Sequence, residues 1–283
     1  MTTRASATAL LAALALVATA CSSGEGSTTF PPESFAIPAN ADIGVGRSRL
    51  LVGIGDPTGR RLGSPENEVV IAVAPADRPD AVQTVPGIFT WIVVDAFGLY
   101  RAEFDFDAPG VWQVVVIPEA GDSLPPAAFN VFADTFAPAV GEPAPAPQTP
   151  TLDDFSFEEI TTDPDPDATF YELSLDQAIG NGRKTVVVFA TPAFCVSAAC
   201  GPLLEIVKEV APQHPDVDFV HIEVYTNLTD VDFAPIPKNL APAVLADWWN
   251  LPSEPWVFVI DETGIVQARF EGVMAAEELT AEL

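Results

Sequence analysis

Two cysteines five positions apart, where an apolar run passes into an amphipathic one, constrain this chain more than any other feature. They lie in Thr191-Pro-Ala-Phe-Cys-Val-Ser-Ala-Ala-Cys-Gly-Pro202. The run before them, Thr185-Val-Val-Val-Phe-Ala190, is short, apolar and β-branched, which reads as a buried strand. After them Leu203, Leu204, Ile206, Val207, Val210 and Ala211 recur at helical spacing. The thiols therefore sit at a strand-to-helix turn, where unpaired N–H groups and the helix dipole favour a thiolate. Their separation sets a geometric limit. Five residues apart on one helix, Cα atoms lie about 8.7 Å apart, beyond the roughly 7 Å over which a disulfide closes without backbone movement. Either Cys195 lies in the loop before the helix, or the first turn unwinds on oxidation. Pro202, which has no N–H to give up, makes unwinding cheaper.

The N-terminus bears on the compartment. Residues 1–20 carry one positive charge, Arg4, then the apolar run Ala7 to Ala20, with no acid before Glu25. That is the pattern of an export signal, and the run is too short to span a bilayer comfortably. It ends in Val17-Ala-Thr-Ala-Cys21-Ser-Ser-Gly24, which resembles the lipobox of bacterial lipoproteins, with Ala18 where that family usually has Leu. The resemblance implies that Cys21 is acylated and becomes the first residue of the mature chain; plain secretion with a small-residue cleavage site is the other reading. Either way Cys21 leaves one cysteine pair in an oxidising compartment. No other apolar run reaches the roughly 20 residues of a transmembrane helix. The expectation is an extracytoplasmic protein of the bacterial cell envelope, lipid-anchored at the cell membrane, meeting an exported client protein or a membrane redox partner.

A net charge of -28 and a pI near 4.1 argue against nucleic acid, whose phosphates need a basic face, and against a polybasic membrane patch. Two His, at 214 and 221, and two Met, at 1 and 274, leave a copper or zinc site short of ligands, so neither metal nor cofactor is expected. Asp163, Asp165 and Asp167 lack the glycine and distal Glu of a calcium loop and read as a solvated loop.

Along the chain the pattern divides into a signal at 1–21, a tether at 22–41, a β-sandwich at 42–137, a Pro-rich linker at 138–150 and an α/β domain at 151–283. In the sandwich region, strand patterns at 48–54, 68–73, 90–94, 99–106, 110–117 and 128–132 are bounded by Gly, Pro and Asp turns, with no convincing helix between them. Residues 98–114 resemble a hairpin of immunoglobulin-like modules in bacterial envelope proteins. Five prolines between Pro138 and Pro150 favour an extended, semi-rigid spacer. Val140-Gly-Glu-Pro-Ala-Pro145 also resembles the lead-in to redoxin domains of the peroxiredoxin and TlpA type.

The remainder reads as a short helix at 174–179 with Ser174 as N-cap, strand 185–190, the cysteine turn and a helix to 213. Strand 218–225, a helix at 239–250, strands 256–260 and 265–270 across a tight turn, and a helix from 275 follow. This order resembles the thioredoxin fold over about 130 residues, giving an α/β thioredoxin fold behind an all-β immunoglobulin-like sandwich. The resemblance implies thiol–disulfide exchange through Cys195 and Cys200, with Pro255 at the place of that family's cis-proline. Cys195, at the strand end, is the candidate nucleophile, and Cys200, deeper in the helix, the resolving thiol. The four-residue gap also resembles the site of Q-type peroxiredoxins, which makes a thiol peroxidase the alternative activity. Thr191, however, is four residues before Cys195 rather than three, and Ser253-Glu254-Pro255 supplies an acid where those enzymes have Arg. A structural disulfide in a non-enzymatic envelope binding protein is the third reading. His221 and Glu223 share one face of the second strand and are either proton acceptors for the resolving thiol or hydrogen-bonded structural groups. Trp248, Trp249 and Trp256 read as core or as a groove wall near the pair, with core the default.

Overall fold

The computed structural model describes residues 29–283, so the export signal and Cys21 lie outside the described residues. Nine strands come first: β1 (Phe35–Pro38), β2 (Ile43–Gly44), β3 (Gly46–Gly55), β4 (Arg61–Leu62), β5 (Val69–Pro75), β6 (Gln83–Val93), β7 (Phe97–Phe106), β8 (Gly110–Pro118) and β9 (Ala127–Phe132). They run in the order β1-β3-β7-β6-β5-β8-β9-β2, with β4 on β3, as one sheet folded over itself. The fold comes at β6, whose first half pairs with β5 and second half with β7. Pro86-Gly87 marks the crossing. Proline has no N–H for a ladder, and a Cβ on Gly87 would come within 2.6 Å of Val69 Cγ2. Alternating residues of both halves, including Leu50, Ile71, Tyr100, Phe106, Trp112 and Val114, fill the space between. The two buried polar rings find carbonyls: Tyr100 Oη donates to Asn67 O at 3.0 Å, and Trp112 Nε1 to Ala108 O at 3.1 Å.

The six strand patterns of this region are all present. The hairpin at 98–114 is not: β7 pairs with β3 and β6, β8 with β5 and β9, and residues 107–109 carry the chain between the two halves of the sheet. Alternation tells which side chains face the core, but not which strand lies alongside. β1 lies inside residues 22–41, so the tether reading gives way there to an edge strand paired with β3.

The second domain carries α1 (Phe157–Ile160), α2 (Leu175–Ala178), β10 (Lys184–Ala190), α3 (Cys200–Val210), β11 (Val217–Glu223), β12 (Trp256–Ile260), β13 (Val266–Glu271) and α4 (Ala276–Thr280). Its sheet has the order β11-β10-β12-β13, with β10 parallel to β11 and antiparallel to β12. β10 and β12 are buried on both faces, and their unbroken apolar runs reflect that. One face packs on α3 and α4 through Val186, Val188, Leu204 and Val207; the other on Leu175, Trp249 and Val244. The helix read at 239–250 is instead two short 3₁₀ turns, Pro237–Asn239 and Pro242–Val244, followed by irregular turns. Each proline opens one of these turns and holds the residue before it, Ile236 or Ala241, in an extended conformation, which breaks a continuous helix at Ala241.

The segment at 138–150 is extended and runs along the second domain. Gly141 N–H donates to Val266 O (2.8 Å), Val266 N–H to Glu142 O (2.9 Å) and Ala144 N–H to Gly264 O (2.9 Å), which covers the open edge of β13. Beside this cover the sandwich docks. Leu51 and Leu99 meet Val273, with Ile92 alongside. Arg49 forks onto Glu278 at 2.9 and 3.0 Å, and Arg101 reaches the same carboxylate at 3.2 Å. Arg269 binds Asp42 at 2.8 Å. The Arg49–Glu278 pair keeps only 11% and 10% of its side-chain exposure. Glu278→Ala, which strands the buried Arg49 in this seam, is expected to lower stability by about 3 kcal/mol in urea unfolding. Glu103→Ala, which removes the exposed partner of Arg47, is expected to cost less than about 1 kcal/mol in the same measurement.

Candidate functional site

β10 delivers the chain to Thr191, which is buried, and the backbone leaves the sheet through a loop that ends where α3 begins at Cys200. Cys195 lies in that loop, five residues before the helix. Ala198 takes a left-handed φ of +61°, which turns the loop back on itself. The two Cα atoms come to 6.0 Å, and Cys195 and Cys200 form a disulfide. Of the two geometries open to this spacing, the loop placement is the one adopted.

The two sulfurs are not equivalent. Cys200 is fully buried among the core residues under α3, whereas Cys195 is half-exposed. The Cys200 backbone N–H donates to Cys195 Sγ at 3.2 Å. Ser197 Oγ lies 3.2 Å from the same sulfur and accepts from Ala199 N–H at 3.3 Å, which leaves its own proton for Cys195. Two donors therefore converge on the outer sulfur without a cationic neighbour in the loop. Ser197 went unread in the sequence; its signal was a hydroxyl three positions before the helix start, where short side chains bond local backbone.

Pro255 forms a cis peptide with Glu254, in the place implied by the thioredoxin resemblance. Gly272 N–H holds its carbonyl at 2.9 Å. Ser253 Oγ accepts from Trp256 Nε1 at 3.2 Å and donates to Glu271 at 2.8 Å. Glu271 also accepts from Ala41 N–H at 2.7 Å and Asn40 Nδ2 at 3.2 Å, so the sandwich steadies the segment that carries Pro255. Phe194, next to Cys195 in the loop, packs with Phe233 (5.1 Å) and Tyr225 (6.0 Å), which brings the chain after β11 against the site.

His221 and Glu223 both point into a polar layer beneath the loop. His221 Nε2–H donates to Ala190 O at 3.1 Å, so Nδ1 accepts from Tyr171 Oη at 2.6 Å. Glu223 accepts from Thr162 N–H (2.9 Å) and Thr162 Oγ1 (2.6 Å), and Thr162 Oγ1 in turn accepts from Ala193 N–H at 3.2 Å in the cysteine loop. Both are engaged as hydrogen-bonded anchors. Asp163 is buried rather than solvated, and holds Lys208 of α3 at 3.0 Å. Trp249 and Trp256 are core, and Trp248 is exposed.

Residues 171–283 match the family model described as a thioredoxin-like domain, and this part of the chain is a thioredoxin-like domain with its cysteine pair at the strand-to-helix turn. The residues from 137 to 170 pack onto it, through Ile160 and Phe157 against its core and Thr149 against Ser174. No curated protein matches the chain. Among solved structures, the sensor domain of the anti-sigma factor RsgI4 from Pseudobacteroides cellulosolvens is similar over 36% of this chain and 94% of its own, at 16% identity and a TM-score of 0.24. A likeness at that level assigns neither fold nor role.

Burial pushes the His221 pKa down from 6.5 to about 4. Between those values the unfolded chain binds a proton that the folded protein does not, so this residue's contribution to stability is lost as pH falls from about 6.5 toward 4. Glu223 acts in the opposite sense, because burial raises its pKa and the folded state keeps its proton longer as pH rises. The difference between the native protein and His221→Gln isolates the histidine. From pH 7 to 4 the native protein is expected to lose about 3 kcal/mol more than the variant in urea titrations.

Proposed function

We propose that this chain is an extracytoplasmic, membrane-anchored thiol–disulfide oxidoreductase acting through Cys195 and Cys200. One observation carries the reading: the exposed sulfur is bonded to a fully buried sulfur at the first position of α3, and the backbone N–H of that position points at the exposed one. In the oxidising direction a client thiolate attacks Cys195 Sγ, and the Cys195–Cys200 bond breaks with its electron pair left on Cys200 as thiolate. A second client thiolate then attacks the client sulfur of the mixed disulfide. Cys195 leaves as a thiolate, stabilised by the Cys200 N–H and Ser197, and the client is left with a disulfide. The reverse sequence reduces a client disulfide and returns the pair to the bonded state. The thioredoxin resemblance assigns the cis-Pro255 to the wall of the client groove. The lipobox-like Cys21, eight residues before the first described residue, would hold the domain at the membrane surface.

A peroxidase needs a polar threonine and an arginine at the reactive sulfur, whereas Thr191 is buried at the end of β10 and Glu254 stands beside Pro255. A purely structural staple is disfavoured because five residues close too small a loop to constrain the unfolded chain much. Equilibration of the purified chain against glutathione, read by thiol labelling and mass spectrometry, tests the reading. A reversible bond with a potential between about -120 and -270 mV is expected. A bond that resists reduction to below about -300 mV would make the pair structural and move the search for function to the sandwich.

A further inference from the structure

Among the described residues the buried carboxylates are all held: Asp42 by Arg269, Asp56 by Arg60, Asp163 by Lys208, Glu223 by Thr162, and Glu271 by Ala41 and Ser253. Glu254, the residue before Pro255, differs. It is half-buried, and burial alone acts on its carboxyl and pushes its pKa up, with no donor or cation among the described residues to offset the cost. Leaving a carboxylate partly desolvated without a partner is unfavourable, and the cost is recovered when a ligand brings the missing positive charge.

Burial raises the Tyr225 pKa, and the charge of Glu254, within electrostatic reach of the phenol, raises it further. The Tyr225 ring is nearly perpendicular to Phe194, at 89° and 6.0 Å, and to Phe233, at 80° and 6.2 Å. Phe194 and Phe233 lie 5.1 Å apart, and all three rings are partly open to solvent. Ring faces carry negative potential, so a corner of three aromatics within electrostatic reach of an unpaired carboxylate suits a cation and repels an anion. The corner also has a fixed relation to the redox pair, because Phe194 directly precedes Cys195.

We infer that Glu254, Tyr225, Phe194 and Phe233 form a subsite for a cationic side chain, Arg or Lys, that neighbours the reacting cysteine of the client. The inference rests on the exchange reading above and adds the client's chemistry to it. The subsite holds the client backbone so that its sulfur meets Cys195.

The experiment compares reduction of two short peptide–glutathione mixed disulfides, one with Arg and one with Glu beside its cysteine, by the reduced full-length protein. Each turnover yields the oxidised Cys195–Cys200 pair, a peptide thiol and glutathione. Rates are normalised to those with dithiothreitol, which removes the intrinsic difference between the peptides. The Arg peptide is expected to react about tenfold faster at low ionic strength. Glu254→Gln and, independently, Tyr225→Leu are expected to reduce that ratio to within about twofold of unity, while Glu119→Gln on the sandwich leaves it unchanged. Equal rates for both peptides with the native protein overturn the subsite and leave the exchange reading standing. A preference that survives both site variants also overturns it, by assigning the effect to the overall acidity of the chain. Failure to reduce either peptide overturns the exchange reading, and the subsite with it.

Discussion

The exposed edge of β13 is the constraint around which the two domains are arranged. A four-stranded sheet in the order β11-β10-β12-β13 leaves unpaired backbone groups along its last strand, which invites pairing with other chains. Here residues 141–144 take those hydrogen bonds, and the strand's outward side chains, Arg269 and Glu271, are claimed by residues 40–42 and 135–138. Arg269 also lies over the Trp256 ring at 5.0 Å, which ties the seam to the strand that follows Pro255. The sandwich is therefore part of the framework that holds the cis-proline segment.

The same economy governs the cysteine loop. Cysteines five positions apart do not close within a helix, so the chain places one sulfur before it and one at its first position. The loop is held from below as well: Glu223 binds Thr162, and Thr162 binds Ala193. The buried sulfur is fixed by packing, and the exposed one is tuned by a backbone N–H and a hydroxyl. In the proposed exchange reading, this asymmetry separates the sulfur that meets a partner from the one that completes the reaction.

Much of this was legible in the sequence, for identifiable reasons. Strands such as 185–190 and 256–260 are unbroken apolar runs, and the helix after Cys200 has strict amphipathic spacing, so period and position sufficed. The pairing of β7 and β8 was misread because alternation is blind to partners. Proline content marked residues 138–150 as a spacer, and the same prolines serve equally well along a sheet edge, where few N–H groups are needed. The helix at 239–250 failed where Pro237 and Pro242 outweighed the apolar spacing. At the site, Cys195, Cys200 and Pro255 were found from spacing and resemblance. Ser197 and the aromatic corner were not, because Phe194, Tyr225 and Phe233 come together only through the tertiary fold.

The central claim is that Cys195 is the sulfur that exchanges with a client and Cys200 the one that resolves it. Trapping measures this directly: Cys200→Ser is incubated with a disulfide-bonded peptide, and the covalent adduct is located by peptide mapping. A stable mixed disulfide on Cys195, absent from the matched Cys195→Ser protein, is the result that follows from a half-exposed outer sulfur and a buried inner one. An adduct that forms as readily on Cys200 in Cys195→Ser, or on neither cysteine, would contradict it.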